Sequence, residues 1–244
     1  MSARVTLAVA ERVLTQLRRD PRTIALMLLV PGLLVTLMYY VFDGSPAFER
    51  VAAPMVGIFP FMTLFLVTSI TMLRERTTGT LERLMTLPLA KGDLLAGYAL
   101  AFTLVAAVQV GLTSAVTFWA LDVTVGGSVA LIFLVALANA LFGMALGLFV
   151  SAFAATEFQA VQFLPALVLP QLLLCGLFVP TAAMAPALEA VSTAVPLTYA
   201  FDALAAVARS GDGVGEVWPD LMVVFGAALL ALALGAATLR RRTA

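Results

Sequence analysis

The sequence has no histidine, a single cysteine and few charged residues. Of its 244 residues, 14 are lysine or arginine and 14 are aspartate or glutamate, so charge makes up 11%, against about 25% in soluble domains. Without histidine the chain lacks the commonest metal ligand and the usual proton relay at neutral pH, and we expect no metal site. One cysteine, Cys175, excludes an internal disulfide framework. These absences exclude a small disulfide-stabilised domain and disfavour a soluble metalloenzyme.

The positions of the charged residues predict the fold class. Six long runs contain no aspartate, glutamate, lysine or arginine. An α-helix of about 20 residues crosses the roughly 30 Å hydrocarbon core of a bilayer. We therefore predict an all-α membrane protein, with residues 1–244 forming a single transmembrane domain. The predicted spans are about 24–42, 51–73, 94–121, 129–150, 160–179 and 221–239.

The basic residues predict the orientation. Twelve of the 14 lie on the face that carries both termini, and cytoplasmic loops are enriched in lysine and arginine. We therefore predict cytoplasmic N and C termini. The twelve are Arg4, Arg12, Arg18, Arg19, Arg22, Arg74, Arg76, Arg83, Lys91, Arg240, Arg241 and Arg242, and the other two are Arg50 and Arg209.

Residues 1–22, ahead of the first span, have a helical apolar period. Leu7, Ala10, Leu14 and Leu17 recur on one arc, with charged residues opposite, which predicts an amphipathic interfacial helix. Two roles are open for this helix. It either anchors the terminus on anionic lipid or transmits motion.

The loop 74–93, between the second and third predicted spans, contains a short helical pattern. Gly79 and Thr80 can cap a helix, and Pro88 limits its far end. Leu81, Leu84 and Met85 then share one face, beside a charged rim of Arg74, Glu75, Arg76, Glu82 and Arg83. An apolar knob with a charged rim suits docking into a groove on a partner protein. The alternative is a loop that packs on itself against the lipid headgroups.

The segment 180–220, on the other face, is apolar but interrupted by proline. Pro180, Pro186, Pro196 and Pro219 break this segment, and its two apolar stretches, 187–195 and 197–207, are too short to cross a bilayer. They predict re-entrant or interfacial helices between the fifth and sixth spans.

The predicted spans contain neutral polar and aromatic side chains and no aspartate, glutamate, lysine, arginine or histidine. Coupling to an ion gradient usually needs a charged group at membrane depth, so an ion-driven carrier is disfavoured. Neutral polar residues in spans more often bond neighbouring helices than contact a ligand. As a weaker alternative they line a path for a bulky amphiphile, and span five, with Pro165 and Pro170 as kinks, is a candidate wall. The candidate path residues are Phe65, Gln109, Asn139, Gln162, Phe163 and Gln171.

The chain has no recognisable catalytic motif. It lacks the phosphate-binding loop G-x-x-x-x-G-K-[ST], and the only lysine, Lys91, is in another context. No paired carboxylates, zinc-binding helix or serine–histidine dyad is present. We predict that the chain is not an enzyme and that any ATP hydrolysis takes place on a partner subunit.

Residues 73–101, LRERTTGTLERLMTLPLAKGDLLAGYALA, resemble the cytoplasmic signature of permease subunits of type-2 ABC exporters. That pattern is close to R-E-x-x-x-G-T-L-E-x-L-x-x-x-P, and PLTYAFDAL at 196–204 resembles a second patch found in drug-exporting members. The chain departs from this second patch at Ala205, where family members often have a basic residue. The signature is matched by Arg74, Glu75, Gly79, Thr80, Leu81, Glu82, Leu84 and Pro88.

The resemblance implies a division of labour between subunits. Two permeases, as a homodimer or a heterodimer, would pair in a bacterial plasma membrane, and each would dock on a cytoplasmic ABC ATPase that binds ATP and magnesium. Arg74 to Pro88, including Arg83, would form the ATPase-coupling element. Leu81→Asp is expected to abolish transport and leave the protein folded.

The expected function is ATP-driven export of a hydrophobic or amphiphilic compound such as a drug, antibiotic or lipid. No cofactor on this chain and no nucleic acid partner are expected. Export of a polysaccharide or lipid-linked glycan is the alternative within the family, and a non-transporting scaffold of an ATPase complex is the alternative outside it.

Overall fold

A computed structural model describes residues 2–43, 45–86, 90–210 and 214–238. These residues are 85% helical and contain no strand, which confirms the predicted all-α class. Two π-helical segments, Val116–Ala120 and Leu164–Val168, and a 3-10 turn at Thr181–Ala183 complete the helical structure. The α-helices are α1 (Ala3–Arg18), α2 (Pro21–Val41), α3 (Pro46–Thr77), α4 (Thr80–Thr86), α5 (Lys91–Ala115), α6 (Val129–Val150), α7 (Glu157–Phe163), α8 (Leu169–Leu174), α9 (Pro186–Ser192), α10 (Pro196–Ser210) and α11 (Val214–Thr238).

Six helices within the described residues are long and apolar enough to cross a membrane, as predicted. Spans one to six are Pro21–Val41, Phe48–Thr77, Gly92–Ala120, Val129–Val150, Glu157–Leu174 and Gly215–Thr238. The ends of spans two and six meet on one face, where the guanidinium of Arg76 donates to the hydroxyl of Thr238 at 3.4 Å. The start of α1 is on the same face, because the backbone N–H of Ser2 donates to Asp93 at 2.9 Å. We call this the terminal face.

The boundaries of spans five and six on the side opposite the terminal face differ from the prediction. Span five ends at Leu174 rather than at residue 179, because Gly176 adopts a left-handed conformation with φ +96° that a helix cannot continue through. Span six begins well before residue 221, and Pro219 lies inside α11 rather than between elements. As the sixth residue of α11, Pro219 cannot donate the i→i−4 hydrogen bond to Gly215, and the helix continues without that bond.

The closest packing in the bundle is between α3 and α6. Gly143 and Gly147, one turn apart on α6, face the α3 backbone. A Cβ at Gly147 would overlap the carbonyl oxygen of Phe65 and the hydroxyl of Thr68, and a Cβ at Gly143 would overlap the carbonyl oxygen of Phe61. Small residues let membrane helices approach closely where no hydrophobic effect drives their association.

Polar side chains reinforce these contacts by bonding backbone carbonyls across helices. Asn139 of α6 donates to the carbonyl of Gly57 at 3.1 Å, and Thr68 of α3 donates to the carbonyl of Met144 at 3.2 Å. All four groups lie inside the bundle, where water cannot compete for them.

The helices α9 and α10 bend against each other by 85°. They lie between spans five and six, opposite the terminal face, where the sequence predicts re-entrant or interfacial helices. The backbone N–H of Gly126, in the connection between spans three and four, donates to the carbonyl of Ala208 at 2.8 Å. This bond adds to the packing of α10, whose Leu197, Leu204 and Val207 are fully buried in the core.

Gly147→Ala is expected to destabilise the chain by about 1–3 kcal/mol, because the added methyl must push α3 away from α6. Gly226→Ala on α11 is the matched control, since nothing lies within 4 Å of a Cβ at that position. Thermal unfolding in mild detergent measures both. Equal melting temperatures for the two variants would contradict the proposed close contact.

Candidate functional site

The residues of the family-like signature lie on the terminal face, in two helices joined by a tight turn. The helix α3 continues to Thr77, so Arg74, Glu75 and Arg76 belong to its last turn and not to a loop as predicted. Gly79 has φ +71°, the left-handed conformation that ends helices and is easily adopted only by glycine. The short helix α4 then starts at Thr80.

The exposed side of α4 differs from the prediction. Leu81 is only 4% exposed and packs in the hydrophobic core, and Leu84 packs against that core. Leu81 is therefore not an exposed docking knob, and Leu81→Asp would place a carboxylate in the core and destabilise the chain itself. The exposed side of α4 carries Arg83 and Thr86. The side chain of Glu82 and the whole of Pro88 lie outside the described residues.

The amphipathic helix α1 packs alongside the first turns of α5. Its contacts run in the same direction along both helices: Ser2 bonds Asp93, and further along Val9 lies against Gly97, where a Cβ would come within 2.6 Å of it. The buried face of α1 includes Val9 with Ala10, whereas Leu7, assigned by periodicity to the apolar arc, is 59% exposed. The contact with α5 therefore sets the orientation of α1.

An ion pair connects α1 to the end of α3. The guanidinium of Arg12 contacts the carboxylate of Glu75, and the Gln16 amide donates to the same oxygen at 3.2 Å. The Glu75 side chain is 7% exposed and that of Arg12 26% exposed. Tyr98 of α5, fully buried, lies near both charges. The end of α3, the start of α5 and the middle of α1 therefore form one packed unit, which we call the terminal unit.

A second ion pair connects α3 to span five. Arg74 donates to Glu157 through Nε at 2.6 Å and Nη2 at 3.1 Å, a bidentate arrangement at the first residue of α7. Both side chains are more than half exposed, at 57% and 52%. Exposed pairs contribute little to stability, but this pair orients span five relative to the terminal unit.

A cavity of about 300 Å³ opens between α1, α2, α3 and α5 beside these pairs. Its polar lining includes Gln16, Asp20, Arg74 and Glu75. Asp20 caps α2, and hydrogen bonds from the hydroxyl at 2.7 Å and the backbone N–H at 3.1 Å of Thr23 hold the pKa of its carboxyl below the ordinary value. The carboxylate is therefore ionised at neutral pH.

Three candidate path residues lie inside a single chain and not on a path. Phe65, Gln109 and Asn139 are all 0% exposed. The amide of Gln109 donates to the carbonyl of Met27 at 2.8 Å, and that of Asn139 donates to Gly57. Their assignment to a path is corrected, because Phe65 packs in the hydrophobic core and the side-chain amides of Gln109 and Asn139 each donate to another helix.

The other three candidate path residues lie on span five, the least buried of the six spans. Only 11% of its 18-residue apolar window is buried in the chain. Gln162 is exposed, and Phe163 and Gln171 are partly exposed. Between them the helix widens into the π-helical segment Leu164–Val168, where Pro165 lacks an N–H to continue the α-helical pattern. Span five is thus irregular and mostly unburied, with the Gln162 side chain exposed, whereas the Gln171 amide donates to the carbonyl of Leu167 in the same span at 3.1 Å.

Comparison with known proteins identifies the family. The model of the ABC-2 type transporter family matches residues 4–208, which include α1, the signature and the first five spans. The chain belongs to the ABC-2 type transporter family.

Curated relatives of the chain are ABC transporters and their permeases. It is 27% identical over 192 residues to ABC transporter G family member 20 of Dictyostelium discoideum, covering 78% of this chain and 26% of that protein. It is 26% identical over 171 residues to the probable multidrug ABC transporter permease YbhR of Escherichia coli strain K12, covering 70% and 46%. It is 25% identical over 170 residues to the linearmycin resistance permease protein LnrN of Bacillus subtilis strain 168, covering 70% and 44%. The matches therefore span less than half the length of these relatives.

Family membership and the six long apolar helices make this ABC-2 permease a multi-pass membrane protein. The membrane domains of such permeases are not themselves ATPases.

Sequence reasoning missed Arg12, Gln16 and Glu157 as partners of the signature. The sequence did indicate that two of them act together, because Arg12 and Gln16 are four residues apart and share one side of a helix. Nothing local indicated that this side faces Glu75, which is 63 residues further along the chain.

Glu75→Gln is expected to destabilise the terminal unit by about 2 kcal/mol and to raise amide hydrogen exchange in α1, because Arg12 loses its charged partner in a mostly buried site. The matched control is Glu157→Gln, which breaks the exposed pair and should cost less than about 1 kcal/mol. Hydrogen exchange with mass spectrometry measures both. Unchanged exchange in α1 of Glu75→Gln would contradict the role of this pair.

Proposed function

We propose that this ABC-2 permease is the membrane subunit of an exporter for a hydrophobic or amphiphilic compound such as a drug, antibiotic or lipid. Two permeases and two separate cytoplasmic ATPases would form the working complex, with ATP and magnesium bound by the ATPases. The observation that carries the proposal is the placement of the family signature on α3 and α4, where it is tied by an ion pair to α1 and by another to span five.

The exposed side of α4 is the proposed contact with the ATPase. Arg83 and Thr86 face outward, while Leu81 fixes the helix to the core. A short helix held in this way moves with the bundle when a partner pushes on it. The terminal face would then be cytoplasmic, in agreement with the twelve basic residues assigned to it.

Motion at α4 has a physical route to span five. The turn at Gly79 joins α4 to α3, and Arg74 at the end of α3 holds Glu157 at the first residue of span five. The ion pair between Arg12 and Glu75 makes α1 part of the same body. A displacement of α4 would therefore tilt the least buried span.

Span five is the proposed wall of the export path, facing a second permease. Its exposed Gln162 and partly exposed Phe163 and Gln171 combine amide and aromatic surface, which suits an amphiphile. The names of two relatives support a drug or antibiotic as substrate, since one is described as a probable multidrug permease and the other as a linearmycin resistance permease.

Arg83→Glu is expected to reduce co-purification of the partner ATPase roughly tenfold, because it reverses a charge at the docking contact and leaves the core intact. The matched control is Arg50→Glu, which changes an exposed arginine assigned to the opposite face. Affinity capture of each tagged variant from its own host, followed by an ATPase assay, gives the readout.

Full ATPase capture by Arg83→Glu would remove α4 as the docking element. The unaltered chain is also tested for transport of a panel of amphiphiles in vesicles. If it captures an active ATPase but transports none of them, the scaffold alternative is favoured. Transport of a lipid-linked glycan would favour the other alternative.

Gln162→Cys in a Cys175→Ala background is expected to form a disulfide between two permease chains under mild oxidation, because the proposed path lies between their fifth spans. Leu29→Cys, on the 65% exposed side of α2, is the matched control and should not cross-link. Non-reducing electrophoresis of membranes measures both. Equal cross-linking at the two positions would contradict the assignment of span five to this interface.

A further inference from the structure

A groove on the outside of the bundle lies where α1 ends and α2 begins, against α5. It has a volume of about 220 Å³ and nine lining residues, eight of them apolar. They include Leu14 and Leu17 of α1, Met27 and Leu28 of α2, and Leu104 and Val108 of α5.

The groove is open along its α5 side. Leu104 is 52% exposed and Val108 is 54% exposed, so an occupant can enter sideways from the surrounding medium. An apolar trough of this shape has room for part of a hydrocarbon chain and offers no hydrogen-bonding group along its length.

The ninth lining residue is Arg18, at the mouth of the groove. Its guanidinium has no ion pair among the described residues, unlike that of Arg12 on the same helix, which is held by Glu75. Arg18 also lines an adjacent hollow together with Glu11 and Leu104. Glu11, which lines that hollow, forms no ion pair with Arg18, and Asp20, two residues beyond Arg18, accepts hydrogen bonds from Thr23.

The position of Arg18 relative to span one matches the level of a lipid headgroup. Span one begins at Pro21, three residues beyond Arg18, so the guanidinium lies at the end of the apolar segment. Leu28 is seven residues into the span, about 10 Å deeper at 1.5 Å per residue. The groove therefore has a cationic mouth at the membrane surface and an apolar floor at acyl-chain depth.

We propose that this groove is a binding site for an anionic phospholipid of the leaflet on the terminal face. The phosphate would bind the guanidinium of Arg18, and one acyl chain would lie between Leu28 and Val108. The proposal commits to an anionic lipid because the charge at the mouth and the apolar floor are complementary to its two parts. It does not rest on the proposed export role.

Binding there would brace the corner between α1 and α2. The lipid would contact α1, α2 and α5 at once, next to the unit in which Arg12 holds Glu75. The composition of the leaflet would then affect how firmly α1 is attached.

The test uses tryptophan quenching by brominated lipids. The native Trp119 and Trp218 are replaced by phenylalanine, and Leu28→Trp places a reporter in the groove. Leu29→Trp is the matched reporter, because the neighbouring Leu29 is 65% exposed and does not line the groove. The chain is reconstituted in phosphatidylcholine vesicles that contain dibrominated phosphatidylglycerol or dibrominated phosphatidylcholine.

At Leu28→Trp we expect a preference of about fivefold for phosphatidylglycerol over phosphatidylcholine, measured by quenching of the tryptophan. At Leu29→Trp we expect the two lipids to quench almost equally. Adding Arg18→Gln should remove the preference at the groove. Adding Arg19→Gln, a change to the adjacent exposed arginine that does not line the groove, should preserve most of it. Glu11→Gln should preserve or increase it.

Three results would overturn the proposal. Equal preference at the two reporters would mean general attraction of anionic lipid to a basic face. An equal loss of the phosphatidylglycerol preference in Arg18→Gln and Arg19→Gln would likewise mean general attraction to a basic face. Absence of quenching at Leu28→Trp by either lipid would mean that another protein chain covers the groove. Native mass spectrometry of the chain with its original tryptophans, counting retained phosphatidylglycerol in Arg18→Gln and Arg19→Gln, gives an independent readout.

Discussion

The close approach of α3 and α6 is the contact on which the rest of the bundle depends. Gly143 and Gly147 bring the α6 backbone against α3, and Asn139 donates across the same contact to Gly57. In a bilayer the hydrophobic effect does not drive helices together, so close packing and interhelical hydrogen bonds must do so. The position of the α3 end, and therefore of Glu75 and the turn at Gly79, follows from this pair.

Charge on the terminal face has three physical roles. The pair of Arg12 and Glu75 is largely removed from water and joins α1 to the bundle, whereas the pair of Arg74 and Glu157 is exposed and sets an orientation at little energetic gain. Arg18 remains without an ion pair among the described residues and sits above an apolar groove. The single helix α1 thus contributes to packing through Arg12 and to the proposed contact with lipid through Arg18.

Much of the fold could be predicted because a bilayer is a solvent of fixed thickness. It selects runs of about 20 apolar residues whatever their neighbours are, and the six spans follow from that rule. The boundaries were less predictable: span five stops at Leu174 because Gly176 takes a left-handed conformation, and hydropathy does not report backbone dihedral angles. The candidate site was predicted as a segment, but its exposed side was not. Spacing placed Leu81 on an apolar face without indicating whether that face meets a partner or the chain's own core.

The sequence by itself determined the membrane class, the number of spans, the amphipathic character of α1 and the family, because each depends on local composition or on a short motif. Only the tertiary structure decided that Leu81 is buried, that Gln109 bonds Met27 instead of lining a path, and that Arg12 meets Glu75. Each of these is a contact between residues that are distant in the chain. Their partners are chosen by how the helices pack, and a local pattern carries no information about that choice.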